Sequence, residues 1–320
     1  MKKCLLGVIL SSLMFGCCNN DVYVHPDSRT YADLVGREAA VIKQTKDDIV
    51  TLKNKYGEIK VSLIGANVFS YIPKGGEEVL FSVKNPDFTM KDFLHAGIPV
   101  VWPWFNMNGE AGSTIHAFAR QLRWKVAKKE MTDEVFRLVL ELESNSDTLR
   151  LWPYKFKLVY TIELSQSLTV SLRTKNTDDV PFFITEGYHS YFKVSDVNSV
   201  VLRGLDGVLN DAIACGAWNK PFKGDLKFHA GEGRVFFPGR GEYVLFDEGM
   251  NRAITLAARG HKKLILWSIP QKASSGQFGP DDWKHFVCLE PSTISREAQV
   301  KVLPNREHEL RMTIKAVPLK

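Results

Sequence analysis

The sequence lacks a membrane-spanning run. Its longest apolar stretch, Leu5 to Phe15, falls well short of the ~20 residues that a transmembrane helix needs. It also lacks a cluster of basic residues. The 42 Lys and Arg against 36 Asp and Glu, a formal net charge of +6, are dispersed through a mixed surface, which argues against nucleic acid as a partner. Cysteine is scarce, at positions 4, 17, 18, 215 and 288 only, too few and too widely spaced for a disulfide framework. There is no GxSxG nucleophile elbow. Gly231-Glu232-Gly233 and Gly239-Arg240-Gly241 sit in strand-like surroundings unsuited to phosphate loops. His285 near Cys288 has no second pair of ligands with metal-site spacing, so neither a metal nor a cofactor is expected. Helical periodicity is almost missing; the best short candidate is Asp281-Asp282-Trp283-Lys284, an acidic start after Gly279-Pro280.

What the chain does have is alternation. Ile59-Lys60-Val61-Ser62-Leu63, Phe136 to Leu142, Lys157 to Leu164 and Leu168 to Thr174 all alternate apolar with polar residues, and Ser165-Gln166-Ser167 reads as the turn between the last two. Tyr243 to Phe246, Ala253 to Leu256, Leu264 to Trp267 and Leu310 to Ile314 continue the series. Strands this frequent, joined by Gly, Asn and Asp clusters, predict an all-β protein: a large antiparallel β-sandwich whose strands each bury one face. No repeat, low-complexity block or Pro-rich linker follows residue 40, so residues 41–320 are expected to form one domain.

The N-terminus carries a different signal. Lys2 and Lys3 precede the short apolar segment, and Gly16 supplies a small residue before Cys17. Leu13-Met14-Phe15-Gly16-Cys17 resembles a bacterial lipoprotein signal. That resemblance implies a leader over residues 1–16, lipidation at Cys17, a polar tether over residues 17–40, and a membrane contact made by the lipid alone in the bacterial cell envelope, facing the periplasm. A plain secretory leader is the alternative.

Three segments place expensive residues among apolar ones: His95 to Trp124, Glu186 to Phe192, and Phe286 to Pro291. Glu290 ends an apolar run, so its carboxylate is expected at the inner end of a strand. Burial there costs free energy unless the group is paired or used as a base with a raised pKa. His189 stands between Tyr188 and Tyr191. A His and a Glu converging on one cleft make a general acid and a general base near neutral pH. A satisfied core histidine and a cross-strand salt bridge are the competing roles.

These three segments resemble one family. AGIPVVWPWF followed by IHAFARQLRW, then GYHSYFKVSDVNSVVLRGL, then LILWSIPQKASSGQFGPDDWKHFVCLEPSTI are similar, in order, to the signature blocks of the hexose-6-phosphate mutarotases within the aldose 1-epimerase superfamily, over roughly residues 50–318. The resemblance implies a galactose mutarotase-like supersandwich and a small-molecule sugar substrate. In that family the Glu closing the last block takes the proton of the anomeric hydroxyl, and the His of the second block protonates the ring oxygen. The matching residues are Glu290 and His189. Arg120 and His116 match sugar-contacting positions.

Departures from the family concern the phosphate. Its Arg before GGIP, Gln before HGFAR and later Asp correspond here to His95, Ile115 and Gly233, with Glu232 beside Gly233 as a substitute. A neutral imidazole is no guanidinium clamp, and Ile115 has no side-chain hydrogen bond to give. Mutarotation of an unphosphorylated hexose is therefore expected, with a non-catalytic carbohydrate-binding lipoprotein on the same scaffold as the alternative. Trp102, Trp104, Phe105 and Tyr188 are candidates to stack on a sugar face or to pack the core.

Overall fold

The alternating segments become strands. The computed structural model describes residues 45–89, 94–106, 115–210, 220–271, 277–295 and 297–319; the leader, Cys17 and the tether lie outside them. In chain order the strands are β1 (Ile49–Asn54), β2 (Gly57–Ser62), β3 (Asn67–Pro73), β4 (Val100–Val101), β5 (Lys125–Met131), β6 (Phe136–Glu143), β7 (Phe156–Leu164), β8 (Leu168–Asn176), β9 (Phe182–Ile184), β10 (Gly187–Tyr188) and β11 (Tyr191–Lys193). There follow β12 (Val201–Arg203), β13 (Leu209–Asn210), β14 (Lys220–Pro221), β15 (Leu226–Lys227), β16 (Gly233–Phe236), β17 (Glu242–Asp247), β18 (Arg252–Arg259), β19 (Lys263–Trp267), β20 (Phe286–Ser292), β21 (Val300–Val302) and β22 (Glu307–Pro318). Among the described residues, these strands pair antiparallel throughout.

Among the described residues, two large sheets make the sandwich. One has nine strands in the order β15-β12-β17-β18-β22-β8-β7-β6-β5. The other has eight, in the order β14-β13-β16-β19-β20-β10-β4, with β11 also paired to β20. The nine-stranded sheet shows the expected one-sided burial: along β7, buried and half-buried residues alternate without a break. Its hairpin from β7 to β8 turns at Ser165–Ser167, closed by the Ser165 N–H on the Ser167 carbonyl.

The eight-stranded sheet is different. Every residue of β19 and β20 is buried, because one face meets the nine-stranded sheet and the other is covered as well. That explains why LILW and FVCLE are continuous apolar runs rather than alternating ones. Contacts between the sheets include the Tyr188 hydroxyl donating to the Leu310 carbonyl at 2.7 Å. Glu186 joins them too, through His308 Nε2 at 3.1 Å and Thr174 Oγ1 at 3.3 Å.

Among the described residues there is a single α-helix, Ser146–Leu151, too short for periodicity to reveal. It is held by its cap: Asn145 Oδ1 accepts from the Asp147 and Thr148 N–H groups, and Thr148 Oγ1 accepts from the Asn145 N–H. The expected helix at Asp281–Lys284 is one 3-10 turn, Asp282–Lys284. No described helix is long and apolar enough to cross a membrane.

Candidate active site

Glu290 lies inside β20, not at its end as its place after an apolar run suggested: Pro291 and Ser292 continue the strand. The proline is tolerated for a reason that also shapes the site. Backbone N–H groups two apart point to the same side, and on this side Leu289 donates to Ser190 O and Thr293 donates to Glu186 O. Pro291, between them, has no N–H to donate. The neighbouring chain breaks there, between β10 and β11, and the Tyr188 carbonyl accepts instead from the Ser190 N–H at 2.9 Å. His189 sits in that break, its N–H on the Pro99 carbonyl at 3.1 Å.

Register sets what faces what. Residues paired across strands share a face, and β20 pairs Glu290 with Ile265, Cys288 with both Trp267 and Tyr191, and Ser292 with Gly187. Alternation along residues 186–191 turns Glu186, Tyr188 and Ser190 toward the nine-stranded sheet, and Gly187, His189 and Tyr191 to the opposite face. On that face His189 Nδ1 is 3.4 Å from Glu290 Oε1, with both side chains buried. The His189 ring lies parallel to Tyr191 (centroids 4.8 Å, 11°) and to Phe105 (6.4 Å, 9°), and edge-on to Trp267 at 5.5 Å. Gly187 is required here, because a Cβ would meet Phe105 Cε2 at 2.5 Å and Ser292 Cβ at 2.9 Å.

Burial governs the electrostatics. It raises Glu290 well above the usual carboxylate range and lowers His189 to about 3, with His95 adding to the effect. The Cys288 thiol is pushed up by burial and then by Glu290. The Tyr191 hydroxyl is raised by burial, Cys288 and Glu290, while Arg120 pulls the other way. The resting pair is thus neutral, with one proton held between a carboxyl and an imidazole.

Two more predicted residues join this pair. His116 lies edge-on to His189 (5.4 Å, 76°) and to Phe105 (4.9 Å, 80°). It adopts a left-handed φ of 58° and is followed by Ala117 at 57°, a conformation that side chains seldom take. Its Nδ1 accepts the Asn106 N–H at 3.1 Å, so Nε2 carries the proton and His116 is a neutral donor. Burial first, then His189, Arg120 and His95, hold its pKa well below the ordinary value. Arg120, in the 3-10 turn Ala119–Gln121, is oriented by Nε and Nη2 bonds to the Ile115 carbonyl.

His95 is close as well. Segment 94–98 is clamped by Asn67, whose amide donates to Ala96 O and accepts from the Ile98 N–H. The His95 ring is 5.9 Å from Tyr191, 6.2 Å from Trp267 and 4.6 Å from Phe278. Gln277 Oε1 contacts both the His95 N–H (3.2 Å) and Nδ1 (3.3 Å). An amide oxygen can only accept, so His95 Nδ1 bears the hydrogen of this contact.

Glu232 is not brought into this group. Its carboxylate is held by Arg234, with Nε on Oε1 at 2.7 Å, and approaches His229 at 3.5 Å. Arg234 pairs with Leu266 in the register, one step out of phase with Gly233 and Trp267, so Glu232 and Arg234 occupy the face opposite Glu290. Counting from Gly233 hid this, because adjacent strand residues point to opposite faces. Of the aromatic candidates, Trp102 and Tyr188 are core residues against Phe156 and Tyr160, Trp104 packs on Phe118, and Phe105 touches His189 and His116. Sequence reasoning missed Tyr191, Trp267, Gln277 and Phe278. For Tyr191 the signal was present, since it stands two residues after His189 and shares its face.

A buried carboxyl and imidazole meet on an aromatic floor within a two-sheet antiparallel sandwich, the fold of a class of sugar isomerases. Residues 48–315 match the aldose 1-epimerase family. A curated relative from Escherichia coli strain K12, named "Putative glucose-6-phosphate 1-epimerase", is 29% identical over 256 residues, 79% of this chain and 85% of its own length. One of the same name from Salmonella typhimurium is 30% identical over 273 residues, 84% of this chain and 90% of its own. Among solved structures, a "putative mutarotase" from Salmonella typhimurium has a TM-score of 0.77 at 26% identity, covering 87% of this chain and 96% of its own. A galactose 1-epimerase from Lactobacillus acidophilus, at 14% identity and a TM-score of 0.64 over 88% of this chain and 98% of its own, shares the fold. The chain belongs to the aldose 1-epimerase family, and it is an enzyme of the epimerase class.

Proposed function

We propose that this epimerase interconverts the α and β anomers of an unphosphorylated aldohexose, with Glu290 as the base and His189 as the acid. The observation that carries the proposal is the 3.4 Å approach of His189 Nδ1 to Glu290 Oε1 on a buried aromatic floor. In the reactive form the single proton of the pair resides on His189. Glu290 takes the proton from the C1 hydroxyl, the C1 carbonyl forms, the bond from C1 to the ring oxygen breaks, and that oxygen takes the proton of His189. The pair ends as a neutral carboxyl and a neutral imidazole, the form that burial favours. Burial therefore lowers the energy of the open-chain state, and rotation about C1–C2 followed by the reverse transfers delivers the other anomer. Each positioned group typically supplies ~10²–10⁴-fold.

The substrate assignment rests on His95. With Nδ1–H committed to Gln277, the His95 imidazole is no bidentate guanidinium clamp for a phosphate. Saturation-transfer NMR of anomeric exchange tests both parts. Free hexoses should exchange faster with the enzyme than hexose 6-phosphates at equal concentration, and His189→Asn should lose the acceleration. A preference for the phosphorylated sugar overturns the substrate assignment, and an unimpaired His189→Asn overturns the roles.

We propose further that the chain is tethered to the bacterial cell envelope, facing the periplasm, through a lipid on Cys17. This rests on Gly16-Cys17 after a short apolar segment. Mass spectrometry of the protein isolated from membranes should find a diacylglyceryl adduct at Cys17; an unmodified Cys17 refutes it.

A further inference from the structure

We infer that His189, Cys288 and Glu290 form a binding site for a thiophilic divalent cation such as Zn²⁺, which switches the enzyme off reversibly. The ligand atoms of these three buried residues, one imidazole nitrogen, one thiol sulfur and one carboxylate oxygen, all lie within 4.8 Å of one another. The match to zinc can be checked on one edge of the tetrahedron. Two ligands each ~2.0 Å from a tetrahedral ion stand about 3.3 Å apart, and His189 Nδ1 stands 3.4 Å from Glu290 Oε1. Cys288 and Glu290 stand two apart on one strand and share its face, so the sulfur, within 4.8 Å of the other two ligand atoms, closes on the same point when the ion binds.

Supporting contacts are in place. Tyr191 lies parallel to the His189 ring at 4.8 Å and pairs with Cys288 in the register, and Trp267 flanks both. Cys288 and Glu290 are fixed on β20 and the His189 ring by its aromatic neighbours, and supporting contacts of this kind hold metal ligands in place. The donor set of sulfur, nitrogen and oxygen selects zinc or cobalt over magnesium and calcium, which require oxygen ligands. Three protein ligands also leave the fourth tetrahedral position for water or a sugar hydroxyl. Binding converts the Cys288 thiol to a metal thiolate and displaces the proton shared by Glu290 and His189, so two protons go to solvent. It occupies the atoms that the epimerase reaction needs for proton transfer. The inhibitory consequence rests on the proposed roles of His189 and Glu290; the binding itself does not.

The experiment uses the full-length protein in a buffer that does not chelate metal, and it reads binding and activity separately. Co²⁺ is added first as a spectroscopic probe. The expected result is one ion per chain, with a near-ultraviolet thiolate-to-cobalt band and the intense visible bands of a tetrahedral site, lost in both Cys288→Ser and Cys288→Ala. Two variants guard against one failing to fold, which circular dichroism reports. Zn²⁺ should displace cobalt, stop anomeric exchange and be reversed by EDTA, and Mg²⁺ should do neither. Loss of the Cys288 ligand should weaken zinc at least about tenfold. Absence of the thiolate band, or zinc affinity unchanged in both folded variants, overturns the site. If the cobalt spectrum appears as expected but the wild-type protein exchanges no sugar, the site stands and the proposed reaction falls.

Discussion

Replacing Glu290 with Gln separates what the buried carboxyl does for chemistry from what it costs the fold. The residue is 1% exposed and its pKa lies well above the ordinary carboxylate value because of burial. Below pH ~4.5 the carboxyl is protonated in both the folded and unfolded chain, and it imposes no difference between them. As pH rises above that value the unfolded chain ionises while the native chain keeps its proton. Native stability therefore falls with pH through the window from ~4.5 up to the raised folded value. Gln is isosteric and uncharged at every pH, so it removes that slope. At pH 7 Glu290→Gln should be the more stable protein, by about 0.5–2 kcal/mol as is common when a strained active-site group is relieved. Its catalysis should fall by ~10²–10⁴-fold, because an amide takes no proton. The assay is paired: urea unfolding at pH 4.5 and pH 7, and saturation-transfer NMR on the same samples. The gain in stability should be present at pH 7 and vanish near pH 4.5. A variant equally destabilised at both pH values refutes the claim that this carboxyl is kept at a cost for catalysis, and retained exchange refutes its role as base.

Three further outcomes follow from the same geometry. His261 is held neutral by burial, with its pKa lowered to about 4, so its share of stability is intact above ~6.5 and is lost as pH falls toward 4, at roughly 1.4 kcal/mol per pH unit; His261→Gln should flatten the acid limb of urea stability against pH, and an unchanged limb counts against it. Gly187→Ala should drive Phe105 off the His189 ring, since the new Cβ lies 2.5 Å from Phe105 Cε2, costing about 1–3 kcal/mol and lowering kcat; a variant with wild-type Tm and kcat refutes the packing argument. Asn145→Ala should cost about 0.5–2 kcal/mol through the lost helix cap, with anomeric exchange at saturating sugar unaffected.

How much of this was legible beforehand depends on which face each residue takes. Period-two alternation gives away β6, β7, β8 and β22, because one side of their sheet meets solvent. It fails for β19 and β20, buried on both sides, and those are the strands that carry the site. There a polar residue within an apolar run is informative, which is how Glu290 stood out. Distances along the chain told less. Glu232 adjoins Gly233 in sequence, yet the pleat turns it away toward Arg234. His95 and Gln277 are 182 residues apart and meet only because segments 94–98 and 277–279 come together beside Tyr191. No local pattern encodes a contact of that kind.

Pro291 shows how local chemistry and site geometry are tied together. A proline inside a central strand normally argues against a strand, since it leaves the neighbour's carbonyl without a donor. Here the neighbour is Tyr188, and its carbonyl turns to the Ser190 N–H. That local closure separates β10 from β11 and leaves His189 in the gap, one strand away from Glu290. If the proline maintains the break, then Pro291→Ala should offer the Tyr188 carbonyl a competing N–H and favour continuous pairing of β10 and β11 with β20. The fold would be kept or modestly stabilised, while the His189 ring moves relative to Glu290 and kcat falls more than KM changes. Amide hydrogen exchange at residues 188–191, read beside the kinetics, decides it. Stronger protection with reduced kcat is the expected pair, and unchanged protection with unchanged kcat means that the break is set elsewhere.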